Sequence, residues 1–195
     1  MITFTIPKHH WNYFLAIEKN LENVSRFIEF ANDNKGTYSI EFAYLLLSAS
    51  SEVDVILKQF CKLLDNGSSP ENINQYKAII KRRCPEFAKE EIIIERYGMK
   101  YKPWLNWLGE QNPVWWNSYN KVKHERNAHF NKANLQNTVN AIGGLLIAVL
   151  YFYKHQFEFE SGNSVSFKET TIQLQPQSNF IRINNSNYYN DHLVI

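Results

Sequence analysis

Across residues 8–32 the apolar residues Trp11, Phe14, Leu15, Ile17, Leu21, Val24, Phe27, Ile28 and Phe30 recur at helical spacing, with Lys, Glu and Asn on much of the opposite face. That pattern predicts a first long helix. The stretch NDNKGTYS, 32–39, reads as a loop, and a second helix is predicted over residues 39–64, stopped by Asn66-Gly67 and Pro70. A short third helix follows, with Ser69 as its cap, Pro70 at its first helical position and Pro85 closing it. Residues 85–112 fit several patterns: PEFAKEE suits one helical turn or two, and IIIERYGMKYKPW suits strand or loop. A fourth helix is predicted from Pro113 to about His129. A fifth starts near Ala133 and contains the charge-free run AIGGLLIAVLYFY, 141–153.

Period-2 alternation appears at both ends of the chain. ITFTI, 2–6, suits a short strand or an extended arm before Pro7. After Tyr153, QFEFESGNSVSFKETTIQLQPQSNFIRI alternates apolar with polar residues and carries turn chemistry at SGNS and PQSN, which predicts a small antiparallel meander. The last twelve residues give no pattern. The expected architecture is mostly α: a four- to five-helix bundle over residues 1–155, with a C-terminal antiparallel β meander over 156–195 packed on it as an appendage.

Composition narrows the function classes. The 195 residues can form one good core, and 44% hydrophobic content excludes disorder. A formal net charge of +2 excludes a protein that coats nucleic acid by bulk charge, while leaving room for a local basic patch. Cys61 and Cys84 form no metal-ligand spacing and read as reduced thiols in or near a core. The N-terminus lacks the pattern of a secretion signal, and the thirteen-residue run at 141–153 is short of the roughly 20 residues a membrane span needs. A cytoplasmic protein without a membrane span is expected. Gly143 and Gly144 inside that run each cost about 1 kcal/mol relative to alanine, so a close approach by another backbone is expected. It would come from the second helix or from a second copy of the chain.

The segment WWNSYNKVKHERNAHFNKANL, 115–135, concentrates the polar chemistry. On a continuous helix Trp115, Tyr119, Val122, Arg126 and His129 share one face, at spacings of four, three, four and three. Arg126 and His129 then extend an apolar stripe, Lys123 lies close enough to join them, and His124 projects to a neighbouring face. On the second helix Glu52 sits at the edge of the stripe Leu45, Ala49, Val53, Ile56, Phe60 and Leu63. A carboxylate beside a core needs a partner, and Arg126 or Lys123 is the expected one. A zinc site at His124 and His129, with His9-His10 elsewhere, is disfavoured: a five-residue separation does not put both rings on one helical face. Trp104, Trp107, Trp115 and Trp116 suit either base stacking or the packing of a loop on the bundle.

With SASSEVDVILKQF on a long second helix and YNKVKHERN just before a strongly apolar last helix, residues 8–155 resemble the HEPN superfamily of helical domains. The resemblance implies a helical bundle and a homodimer formed through the last helices. It also implies metal-independent RNA cleavage, with no cofactor, in a toxin or phage-defence setting where an antitoxin or other partner protein is expected. The family motif is an arginine, a polar residue and a histidine four to six residues on. Here Arg126-Asn127 is kept but the next histidine is His129, with only two residues between it and Arg126, in a YNxxKHxR form spanning Tyr119 to Arg126.

The roles implied are His129 as general acid or base and Arg126 as the ligand of the scissile phosphate. Asn127 and Lys123 would assist, His124 would be a reserve titrating group, and Glu52 would orient Arg126. A non-catalytic RNA- or protein-binding module, with KHERN as a structural network, is the alternative from another class. A small-molecule or nucleotide-binding domain is the third.

Overall fold

The computed structural model describes residues 7–189, so the arm expected at 2–6 lies outside the described residues. Helix α1 (His9–Val24) buries Trp11, Phe14, Ile17, Leu21 and Val24. It stops well before residue 32, because the Ser25 hydroxyl donates to the Glu22 carbonyl at 2.7 Å and the chain turns there. Phe27 is consequently solvent-exposed, while Phe30 reaches the core from the non-helical segment.

Helix α2 (Ile40–Leu64) matches its predicted bounds. Ser39 is its cap, accepting from the Phe42 N–H at 3.1 Å. Helix α3 (Ile73–Arg83) starts later than expected, because Asn72 rather than Ser69 caps it, accepting from the N–H groups of Asn74 and Gln75.

The ambiguous stretch 85–112 holds a hairpin. Strand β1 (Ile92–Ile94) pairs antiparallel with β2 (Met99–Tyr101), with Ile92 opposite Tyr101 and Ile94 opposite Met99. A single 3-10 turn joins them, closed by Gly98 in the left-handed region at φ 61°, where a side chain would be strained.

The region expected to be one helix from Pro113 to His129 is two: α4 (Val114–His124) and the single turn α5 (Arg126–His129), separated at Glu125. Helix α6 (Leu135–Ser161) is capped by Asn134 and ended by Gly162 at φ 68°. It runs straight through the expected boundary at residue 155, so QFEFES is helical and not the first strand of a meander. Lys154 to Glu158 at 2.6 Å and Gln156 to Glu160 at 2.8 Å, both i,i+4 pairs, carry the helix to its glycine stop.

The rest of the expected meander is also different. Residues VSFKETT lead into helix α7 (Phe167–Gln173), opened by a capping box between Ser166 and Glu169. Only β3 (Arg182–Ile183) is a strand, and it pairs antiparallel with β1, giving a three-stranded sheet in the order β2-β1-β3. Residues 174–189 fold back over α1. Trp11 donates to the Pro176 carbonyl at 2.9 Å, and the buried Glu18 carboxylate accepts from the N–H groups of Phe180 and Ile181, each at 2.9 Å.

The core sits between α2 and α6, flanked by α1, α3 and α4. Helix α6 is long and apolar enough to cross a membrane by length and composition, but 89% of its most apolar window is buried inside the fold. The glycine pair is covered by this chain's own side chains, not by α2 or by another copy. A Cβ on Gly143 would lie 2.8 Å from Ile92 Cγ1, and one on Gly144 would lie 3.0 Å from the Trp115 ring.

Candidate functional site at the α4–α6 junction

Helix α4 buries Trp115, Trp116, Tyr119 and Val122, so the three upstream members of the predicted stripe do face the core. At Glu125 the backbone leaves helical geometry, with φ −137° and ψ 53°. This break re-aims everything after it. Arg126 and Asn127 become exposed instead of extending the stripe, as are Lys123 and His124 at the end of α4, and His129 is half-buried.

The following residues are nevertheless held firmly. The Phe130 ring meets Tyr38 edge-on at 5.5 Å, and the N–H groups of Leu135 and Gln136 donate to the carbonyls of Thr37 and Lys35. A loop from the start of α2 therefore braces the turn that carries Arg126.

The electrostatics of this surface are simple. Residues 121–132 contain Lys121, Lys123, Arg126 and Lys132, two histidines and a single acid, Glu125. Among the described residues no carboxylate forms an ion pair with any of the four cations. Glu125 turns to His129 instead, Oε2 to Nε2 at 3.3 Å. Lys123 Nζ lies over the Tyr119 ring at 5.5 Å. Tyr38, 52% exposed and packed on Phe130, offers an aromatic face beside the basic segment.

Glu52 does not join this cluster, and the expected pairing with Arg126 or Lys123 is corrected. Its Oε1 lies 2.5 Å from Nδ1 of His10 on α1, and the two side chains are 14% and 13% exposed, His10 first. Nε2 of the same ring faces Gln59 Oε1 at 3.3 Å. Burial pulls the His10 pKa down, but the contacts with Glu52 and Gln59 outweigh it and leave the ring above its ordinary value. The ring packs on Phe152 and Tyr153, in the C-terminal half of α6. At 1.5 Å per residue from Leu135 to Phe152, this is about 25 Å along α6 from the Arg126 turn. It borders a groove of about 830 Å³ lined by Lys8, His9, Lys62 and Phe157 among others.

Of the six predicted site residues, Lys123, His124, Arg126, Asn127 and His129 thus share one short segment and Glu52 lies elsewhere. His10 is the residue that sequence reasoning missed. Its one visible signal is the HH pair at the start of an amphipathic helix, which names no partner.

No three His, Cys, Asp or Glu side chains among the described residues are gathered closely enough to hold a metal ion. The four tryptophans pack rather than stack: all are buried, and the indoles of Trp104 and Trp115 donate to the carbonyls of Gly144 and Pro103. Fold and site together define a mostly helical bundle with a small antiparallel sheet and a basic turn at a helix junction. No family model, curated protein or solved structure matches the chain.

Proposed function

We propose that the chain is a HEPN-like helical module that binds RNA through the basic turn at residues 121–132. The observation that carries this reading is the clustering of four cations with a single acid on a braced turn, three of the cations exposed and Lys132 half-buried, none in an ion pair among the described residues. Lys121, Lys123, Arg126 and Lys132 provide phosphate contacts, the planar fork of Arg126 can grip two phosphate oxygens, and Tyr38 offers a stacking face for an unpaired base. The test is fluorescence anisotropy with a labelled single-stranded RNA over a salt series. Arg126→Gln and Lys123→Gln should each weaken binding and reduce the slope of log affinity against log salt by about 1. Binding that is indifferent to both changes overturns the reading, and capture of a protein partner through the same residues would replace it.

A second reading, metal-independent RNA cleavage in a toxin or defence setting, is favoured by one contact. Glu125 orients the His129 imidazole within one turn of Arg126, so a titrating base stands beside a phosphate ligand. Cleavage needs a second titrating group, supplied by His124 or by another copy of the chain in a homodimer; an antitoxin would mask the same surface. RNA cleavage in EDTA that is lost in His129→Ala supports this reading. Binding without cleavage leaves the first.

A further inference from the structure

Helix α3 ends at Cys84, whose Sγ lies 3.5 Å from Nε2 of His155 on α6. The other ring nitrogen, Nδ1, lies 3.0 Å from Glu158 Oε2, one turn further along α6. Glu158 is itself fixed through its other oxygen by Lys154 Nζ at 2.6 Å and the Val165 N–H at 3.2 Å, and the imidazole packs on Phe60 with centroids 5.5 Å apart. A thiol, an imidazole and a carboxylate therefore stand in the order nucleophile, base, orienter.

The protonation states suit that order. Burial and the neighbouring Lys154 pull the His155 pKa down, so the ring is neutral near pH 7. Burial pushes Glu158 up, but Lys154 and the Val165 N–H more than reverse this, leaving it below the ordinary carboxylate value. An ionised Glu158 accepts the Nδ1 proton, and the Nε2 lone pair faces the thiol. Burial holds the Cys84 thiol up at about 11, so the resting group is S–H and its proton must be taken by the base.

Beside Cys84 is a cavity of about 270 Å³, lined by Phe87, Ala88, Trp107 and Leu108, with the exposed Lys81 and Lys89 at its rim. Trp107 is 1% exposed, and its indole N–H has no acceptor among the described residues.

We propose that Cys84 is a nucleophile that takes a short apolar acyl group from an ester, with His155 as its base and Glu158 as the residue that positions the ring. Nε2 of His155 removes the Sγ proton as sulfur attacks the acyl carbon, and the carbonyl electron pair moves onto oxygen. Collapse of this adduct expels the alkoxide, which takes the proton back from Nε2. The products are the free alcohol and an S-acyl thioester on Cys84. Water, deprotonated by the same imidazole, then releases the carboxylic acid and restores the thiol. At about 270 Å³ the cavity lies just below the range of drug-sized pockets, which favours a short acyl chain.

The test uses the full chain with p-nitrophenyl acetate, following phenolate release and mapping acetylated cysteines by peptide mass spectrometry. Acetylation should fall on Cys84 in preference to Cys61, which is fully buried and held at about 12. The groups facing the pair are Lys154, Glu158 and Tyr151 on α6 and Cys61 on α2. None of these has an ordinary pKa near 7. The rate should thus rise with a midpoint below 6.5, the ordinary histidine value, and stay level to about pH 8.5. His155→Gln should lower the level rate about 10²-fold or more and replace it with a tenfold rise per pH unit. Glu158→Gln, a change at a side chain 22% exposed, should lower the level and move its midpoint while keeping the fold. Acetylation absent from Cys84 after acid quenching within the first turnover, or phenolate release undiminished in Cys84→Ala, overturns the proposal. So does a wild-type rate that climbs tenfold per pH unit from about 6 to 9, since the thiol would then be ionising unassisted.

Discussion

Nδ1 of His10 and the Glu52 carboxylate meet at 2.5 Å across forty-two residues of sequence, pinning the first turn of α1 to the middle of α2. The pair is largely buried and the folded-state pKa of His10 is raised. A raised histidine contributes stability that is fully present below its unfolded value of 6.5 and is lost as pH climbs through the folded one. Glu52→Gln should therefore lower the melting temperature by several degrees at about pH 5.5 and by clearly less at about pH 8.5. Thermal melts of both proteins at the two pH values give the answer; an equal loss at both would show that charge on His10 contributes nothing.

Glu18 makes a second long-range tie of a different kind. Its buried carboxylate accepts two backbone N–H groups, from Phe180 and Ile181, and the Ser178 hydroxyl. Glu18→Ala strands two buried donors at about 1–3 kcal/mol each, whereas Glu18→Gln keeps an oxygen in the place of Oε1, which accepts all three bonds, and should cost far less. Urea denaturation measures the difference. Residues 174–189 should also become protease-sensitive in Glu18→Ala before the rest of the chain does.

What the sequence disclosed and what it hid divide along a physical line. Helix α2 was legible because its signals are local: Ser39 caps it, its stripe keeps period, and Asn66-Gly67 follows. Trp115, Tyr119 and Val122 were legible as a core stripe for the same reason. The break at Glu125 was not, since no glycine or proline marks it; bracing of the next residues by Thr37 and Tyr38 accompanies it. Phe157 and Phe159 alternate with glutamates and so imitate a strand. The i,i+4 pairs of Lys154 and Gln156 keep them helical, with Phe157 inward and Phe159 79% exposed. The β3 strand alternates as expected, but its partner is β1, some ninety residues earlier, and no periodicity names a partner.

Gly143 illustrates a close approach that pattern alone suggested without its neighbour. Alanine there would gain about 1 kcal/mol of helix propensity. Its Cβ would lie 2.8 Å from Ile92 Cγ1 and 3.2 Å from Pro103 Cγ, and overpacking of this kind costs about 1–3 kcal/mol. Gly143→Ala should be a net loss in chemical denaturation, and combined with Ile92→Ala, itself costly at a fully buried site, it should lose less than the two single changes summed. A double variant whose losses simply add would mean that Ile92 is not the obstacle.

The junction residues should behave in the opposite way to Glu18 and Glu52. Lys123, His124, Arg126 and Asn127 are exposed, and the Glu125–His129 contact is a surface i,i+4 pair. Such pairs contribute at most about 1 kcal/mol and surface substitutions generally stay within about 0.5 kcal/mol. Arg126→Ala and His129→Ala should therefore leave the melting temperature within about 2–3 °C of wild type. This separates function from scaffold, since a folded variant that has lost RNA binding or cleavage has lost the phosphate contact itself. If either change instead lowers the melting temperature as far as Glu52→Gln does, the turn is part of the frame of the bundle. The basic surface would then be a by-product of how α4 meets α6, and the functional reading would lose the observation it rests on.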